Sequence, residues 1–204
     1  MSWWEQYKVS LPEGVSGDWS IARFTVTPEA EKFGQLRAMI STGSRGRYVP
    51  QGTYTGLYRH GEVIMSDTPD EIRDHYDPIQ RARGNCLISG LGLGVVADAF
   101  LRKPEVTHVT VIELSPDVIK LVAAPLLAKY GDRLTIVQAD AYTWTPPKGE
   151  VYDVVWHDIW DNLCSDNLKE MERLHRKYGR KASWQGSWGK EQCQYMRRRG
   201  GCWG

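Results

Sequence analysis

The run Ile88-Ser89-Gly90-Leu91-Gly92-Leu93-Gly94 constrains this chain more than any other feature. Residues 86–89 before it read as a short buried strand. Residues 94–103 after it read as a helix that Pro104 stops. Glycines between a strand and a helix permit a tight turn and let a ligand approach the backbone. Alone, the loop is equally a tight strand-to-helix turn with no ligand. A strand that feeds a helix must return to a parallel neighbour, which commits this part of the chain to an α/β sheet with right-handed crossovers.

The following residues keep that rhythm. Residues 107–113 alternate as a strand through Val109 and Val111. Ser115-Pro116-Asp117 then supplies a cap, a first-turn proline and an acid at the positive helix end. That helix should stop near Gly131, with a kink or early end at Pro125. Residues 134–137 and 151–156 read as further strands, and residues 182–186 as a fifth. Leu168, Met171, Leu174 and Tyr178 share one helical face, with Asp166 as a cap.

The expected fold is α/β: a Rossmann-like, mostly parallel sheet over residues 81–204, flanked by helices and trimmed at the C-terminus. Dimerisation would help to cover the open edge of such a sheet. Residues 1–80 read as a small β-rich appendage and a linking helix. Tyr48-Val49-Pro50, residues 53–58 and residues 62–65 are its strands, Arg59-His60-Gly61 a tight turn, and Ser66 to Glu71 a helix start.

Composition excludes little. A net charge of +1 over 204 residues gives no global pull toward nucleic acid or membrane. No apolar run has the length of a membrane span, and the N-terminal residues carry no basic-then-apolar signal. None of the four cysteines falls in a C-x-x-C pair, and the five histidines are scattered, so no metal site is expected. The expectation is a soluble cytoplasmic protein with reduced thiols.

Two carboxylates give the loop chemical meaning. Glu113 ends the strand after the loop, where it can accept both ribose hydroxyls, and Asp140 follows the third strand, where it can accept from an adenine amino group. The spacing is G-x-G-x-G, with Val95 where a dinucleotide fingerprint has glycine; this is the form typical of adenosylmethionine binders. The cofactor is therefore read as S-adenosylmethionine or its decarboxylated form, bound within residues 85–161. Its candidate contacts are Gly90, Leu91, Gly92, Gly94, Glu113, Leu114, Asp140, Ala141 and Asp158.

Residues 57–161 resemble the class I adenosylmethionine-dependent methyltransferases, and among them the spermidine synthases. The resemblance rests on Gly61-Glu62-Val63-Ile64-Met65, on Asp70-Glu71, on the glycine loop, and on the stretch Tyr152-Asp153-Val154-Val155-Trp156-His157-Asp158-Ile159-Trp160-Asp161. It implies that Asp158 deprotonates an acceptor amine and that Asp161 helps to hold it. The chain departs from that group at four places. Gly92 or a neighbour replaces a loop aspartate, Met65 a hairpin glutamine and Asp74 a tyrosine, and no proline follows Asp161.

The catalytic candidates are thus Asp158, Asp161 and, as a rival base with a pKa near working pH, His157. Trp144, Trp156 and Trp160 could stack on adenine, although core or rim packing accounts for each. Three functions follow. The leading one is methyl transfer to a small or amine-bearing acceptor, the second is aminopropyl transfer, and the third is a nucleoside-binding module without catalysis. The basic residues 175–181 with Arg197, Arg198 and Arg199 make nucleic acid a lesser reading of the acceptor; a solvated helix end and a tail explain them more simply.

Overall fold

The computed structural model describes residues 2–40 and 48–199. Four antiparallel strands come first: β1 (Gly14–Ser16), β2 (Trp19–Val26), β3 (Gly52–Arg59) and β4 (Glu62–Ser66), paired in that order, with helix α1 (Pro28–Ile40) between β2 and β3. The turn between β3 and β4 uses His60 and Gly61, both at positive φ (51° and 84°), the geometry that tight hairpins require. Helices α2 (Pro69–Asp74) and α3 (Tyr76–Arg81), separated at His75, lead to the second sheet.

That sheet is wholly parallel. It contains β5 (Gly84–Ser89), β6 (Val106–Glu113), β7 (Leu134–Gln138), β8 (Tyr152–His157) and β9 (Ala182–Ser187), in the spatial order β7-β6-β5-β8-β9. Helices α4 (Val95–Leu101), α5 (Pro116–Tyr130), α6 (Asn167–Tyr178) and α7 (Lys190–Arg198) complete the chain. Strand order reverses direction between β5 and β8, and the crevice at such a switch point, beyond the strands' carboxyl ends, is where these sheets take ligands.

Two apolar layers sandwich the sheet. On one face Ile88, Val109, Val111, Val154 and Trp156 pack with Phe100 of α4 and Val118 and Val122 of α5. Leu11, Ile21 and Leu57 join the same cluster, so the antiparallel sheet shares this core. On the other face Leu87, Ile112 and Val155 meet Leu174 and Tyr178 of α6. The α6 residues read as one face, Leu168, Met171, Leu174 and Tyr178, are all buried.

Several expectations need correction. Residues 14–26 form two strands and residues 28–40 a helix where none was read; α1 buries only Ala38, so it carries no apolar stripe to read. Tyr48-Val49-Pro50 is not a strand. Helix α5 runs on past Pro125 to Tyr130, with Val122, Ala123 and Leu126 buried around the proline, so packing outweighs the lost hydrogen bond. Ser115 does cap α5, accepting from the Val118 N–H at 3.3 Å. Asp166 makes no cap hydrogen bond, because its own backbone is already helical. Arg197 and Arg198 lie in α7 rather than in a loose tail. Cys86 and Cys193 are free and buried, whereas Cys164 is in a disulfide, against the expectation of reduced thiols. Cys202 lies outside the described residues.

Candidate functional site

The carboxyl ends of four of the parallel strands, β5, β6, β7 and β8, bring the sequence candidates to one edge. The chain leaves β5 at Ser89 into the glycine loop, β6 at Glu113, β7 toward Asp140 and β8 toward Asp158. Backbone bonds lock these exits together. Gly90 N–H donates to Ile112 O at 2.8 Å, Ala139 N–H to Glu113 O at 2.9 Å, and Asp158 N–H to Ser89 O at 2.8 Å.

Gly90 sits at φ +97°, and a Cβ there would run into the Asp158 carbonyl. The β5 and β8 exits can approach this closely only because residue 90 has no side chain. Gly92, at φ +50°, has a different neighbour: a Cβ would strike the Met65 sulfur. Met65 lies on β4, and its Sδ accepts the Leu93 N–H at 3.1 Å. Two of the four positions at which the sequence departs from the spermidine synthase pattern, Met65 and Gly92, are thus neighbours.

Glu113 is held in place before any ligand arrives. Its Oε2 accepts the Leu91 N–H and its Oε1 the Ser115 N–H, each at 2.7 Å. A carboxylate oxygen has a second lone-pair site, so both can still accept ribose hydroxyls. Leu114 beside it is 69% exposed. Asp140 is oriented by one bond, from the Tyr142 N–H to its Oδ1 at 2.7 Å, and Ala141 is buried next to it. Gly90, Gly92, Glu113 and Asp140 are each half-buried, and the two carboxylates are acceptors of the type that ribose hydroxyls and an adenine amino group require.

The β8 exit sorts the three acid-base candidates. Asp158 points to the α2–α3 junction, where its Oδ2 lies 3.7 Å from His75 Nε2 and 22% of its side chain reaches solvent. Burial raises its pKa; His75 pulls it back and Asp74 pushes it further up. Glu71 belongs to the same neighbourhood. It accepts from the Ser66 N–H at 2.8 Å and from the Ser66 hydroxyl at 2.9 Å. Burial, which outweighs those bonds, and the charges of Asp158 and Asp74 lift its pKa to about 7. Asp161 is turned outward, 3.7 Å from Arg59, with both side chains about half exposed.

His157 faces the opposite way, as strand alternation requires. It is 0% exposed, its Nδ1 is 2.9 Å from Ser89 Oγ, and its ring packs against His175 and Tyr178 under α6. Burial, aided by the His175 and Lys177 charges, pushes its pKa down to about 3. A neutral imidazole sealed from the crevice is a packing element.

The tryptophans also fall into packing. Trp156 stacks on Trp184 at 6.4 Å, Trp160 donates its indole N–H to Glu170 at 2.7 Å, and Trp144 packs against the apolar layer that includes Leu87, Ala141 and Leu174. Sequence reasoning connected Glu71 and Asp74 to the site only through the resemblance and missed that they gather with His75 beside Asp158. The available signal was the spacing of three polar residues, i, i+3 and i+4, across the end of α2, with one short helix between them and the glycine-loop strand.

Elsewhere, an open cleft of about 510 Å³ is lined by Glu172, His175, Arg176, Gly179 and Lys190, and one of about 380 Å³ includes Trp3, Trp4, Tyr48 and Arg73. Neither contains a sequence candidate for cofactor binding. Among the described residues no cluster of three metal-binding side chains occurs, and no helix is long and apolar enough to cross a membrane.

No family model matches the chain. A stretch of 116 residues is 33% identical to polyamine aminopropyltransferase 1 of Streptomyces coelicolor, taking in 52% of this chain and 22% of that protein. A stretch of 118 residues is 31% identical to polyamine aminopropyltransferase 2 of Ralstonia nicotianae, 52% of this chain and 23% of that one. The match therefore spans less than a quarter of these curated relatives. Among solved structures, the CcbJ methyltransferase from Streptomyces caelestis aligns with a TM-score of 0.45 and 18% identity, over 56% of this chain and 45% of that one.

Proposed function

We propose that this chain is an S-adenosylmethionine-dependent transferase that moves a methyl group to a small, amine-bearing acceptor. The observation that carries the reading is Glu113. Its two oxygens are fixed by loop amides at 2.7 Å, beside a glycine loop whose far side touches the Asp158 backbone. In this reading the ribose sits at Glu113, and the proton acceptor Asp158 follows the β8 exit that packs against Gly90.

In this reading Glu113 holds the ribose hydroxyls and Asp140 the adenine amine, with Leu91, Leu114 and Ala141 flanking the nucleoside. A bound sulfonium donor supplies an activated carbon for in-line displacement: the acceptor N–C bond forms as the donor C–S bond breaks, its electron pair leaving on a neutral thioether. Asp158 takes the proton from the acceptor's ammonium. A carboxylate whose pKa is raised by burial is a better base for that task than an exposed one. Asp161, on the rim, orients the acceptor. The reading allows a second copy to cover the β9 edge.

The likeness to polyamine aminopropyltransferases favours a second reading, transfer of an aminopropyl group from decarboxylated adenosylmethionine. The assay that separates the two supplies each donor, labelled in its transferable group, to a panel of amines. The proposal expects methyl label in product, lost in Asp158→Asn. Aminopropyl label in product, with none from the methyl donor, would replace it with the second reading.

A further inference from the structure

The near-neutral total charge hides a division. Residues 167–199 carry ten Lys and Arg against three Glu, a net +7, and the rest of the chain carries 16 against 22 Asp and Glu, a net −6. The basic residues fold as α6, β9 and α7. Along α6, Lys169, Arg173, Arg176 and Arg180 recur at i, i+4, i+7 and i+11, all exposed; Gly179 keeps a helical backbone, so Arg180 prolongs the row. At about 100° per residue they fall within an arc of about 60°, opposite the buried Leu168, Met171, Leu174 and Tyr178. Arg176 also lines the cleft of about 510 Å³ with Lys190 of α7, and α7 adds the exposed Arg197 and Arg198. Arg73, Arg81 and Arg102 pair with acids on their own helices. Among the described residues, Lys169, Arg173, Arg176, Arg180, Arg197 and Arg198 have no such ion pair. Glu170, the acid beside the row, instead accepts from the Tyr142 hydroxyl and the Trp160 indole.

We propose that the outer face of α6, continued on α7, binds the sugar-phosphate backbone of a nucleic acid, a function separate from the transferase crevice. Each cation of the row meets a phosphate and releases a condensed counterion. The face offers nothing to a lipid: within residues 167–199 the one exposed large apolar side chain is Tyr195, and Arg199 lies 4.7 Å over its ring, a flat platform on which a base can stack. The acids at the strand ends, Glu113, Asp140, Asp158 and Asp161, repel the same polymer and keep it off the crevice. Backbone contacts carry no base information, so binding is sequence-independent. The surface does not rest on the nucleoside reading.

The test is fluorescence anisotropy with a labelled oligonucleotide of mixed sequence, single-stranded and duplex, over about 50 to 200 mM salt. For wild type, log affinity should fall against log salt at a slope of about −3 or steeper, the value for four phosphates. Lys169→Gln/Arg176→Gln/Arg180→Gln should weaken low-salt binding about tenfold or more and flatten that slope by about 2 to 3. Glutamine is as good a helix former as lysine or arginine, so melting should hold. If the triple variant melts early, the single Arg176→Gln, expected to flatten the slope by about 1, takes its place. Arg23→Gln/Lys32→Gln/Arg37→Gln removes the same charge from exposed positions of the antiparallel half and should bind as wild type. Equal losses in the two triple variants, or no binding of either oligonucleotide by wild type at about 50 mM salt, overturn the proposal. So does binding to phosphatidylserine vesicles or to polyglutamate as tight as to the oligonucleotide, which would assign the face to a membrane or to any polyanion.

Discussion

Replacing Glu113 by glutamine asks the site to keep its shape and lose its charge. Each carboxylate oxygen accepts one backbone N–H at 2.7 Å, from Leu91 in the glycine loop and from Ser115 at the start of α5. A glutamine has one oxygen, so its amide NH₂ must face one of those two N–H groups, donor against donor. Hydrogen bonds to a charged acceptor contribute about 1.5–3 kcal/mol each. Glu113 is half-buried, and water can satisfy part of what is lost, so the stability cost should be about 1–2 kcal/mol. Affinity should suffer more, because the ribose loses a bidentate charged acceptor as well as a fixed loop. A loss of about 2–3 kcal/mol is roughly 30- to 150-fold in Kd. Thermal unfolding measures the first effect, and calorimetry with adenosylhomocysteine, a donor analogue that cannot react, measures the second. A folded Glu113→Gln protein that binds the nucleoside with wild-type affinity would refute the placement of the ribose.

Three further outcomes follow from the packing and the charges. Asp98 on α4 is 5% exposed and accepts from Lys129 at 2.7 Å and from the Tyr130 hydroxyl at 2.6 Å, with Arg102 also paired to it. Asp98→Ala should therefore cost about 3 kcal/mol, at the lower end for a broken buried pair because Lys129 and Arg102 can reach water; denaturant titration reads it, and a cost below about 0.5 kcal/mol would show that the cluster is idle. Burial raises the Asp98 pKa, but the bonds from Lys129 and Tyr130 and the Arg102 charge outweigh it, so the net shift is downward. Its contribution is present above the ordinary carboxylate range and is lost as pH falls through it, and Asp98→Ala should flatten that acid limb. Glu71 has the opposite sign. With a pKa raised from 4.5 to about 7, it favours the native state below pH 4.5 and withdraws that support as pH rises to about 7. Glu71→Gln should remove this decline between about pH 4.5 and 7, and an unchanged slope would mean that Glu71 is solvated. Gly90→Ala forces a Cβ against the Asp158 carbonyl at a φ of +97°. It should cost about 2–4 kcal/mol and weaken nucleoside binding, with unperturbed melting as the contrary result.

The parallel half of the fold was legible because its signals are local. Ser115 and Pro116 start α5, glycine follows its end, and β6 forms where its apolar residues put it, although Val109 to Ile112 are all buried rather than alternating. The antiparallel half was only partly so. The hairpin of β3 and β4 announces itself through His60-Gly61, but β2 shows one fully buried residue in eight, and α1 exposes Phe33, Leu36, Met39 and Ile40. No period in the sequence marks elements whose apolar residues do not face one core. The site divides in the same way. Glu113 and Asp140 could be placed because strand ends can be counted. The burial of His157 could not be foreseen from its type, since it depends on α6 closing over that face of β8. Nor could the Met65 contact with Gly92, which joins one sheet to the other and has no local trace.

The central claim is that an adenosine nucleoside sits on the carboxyl edge of the parallel sheet. Amide hydrogen exchange of the wild-type protein, with and without saturating adenosylhomocysteine, tests it directly. Bound nucleoside should slow exchange in residues 89–95, 113–116 and 139–143 together. Protection confined to other segments, or none at saturating nucleoside, would contradict the account.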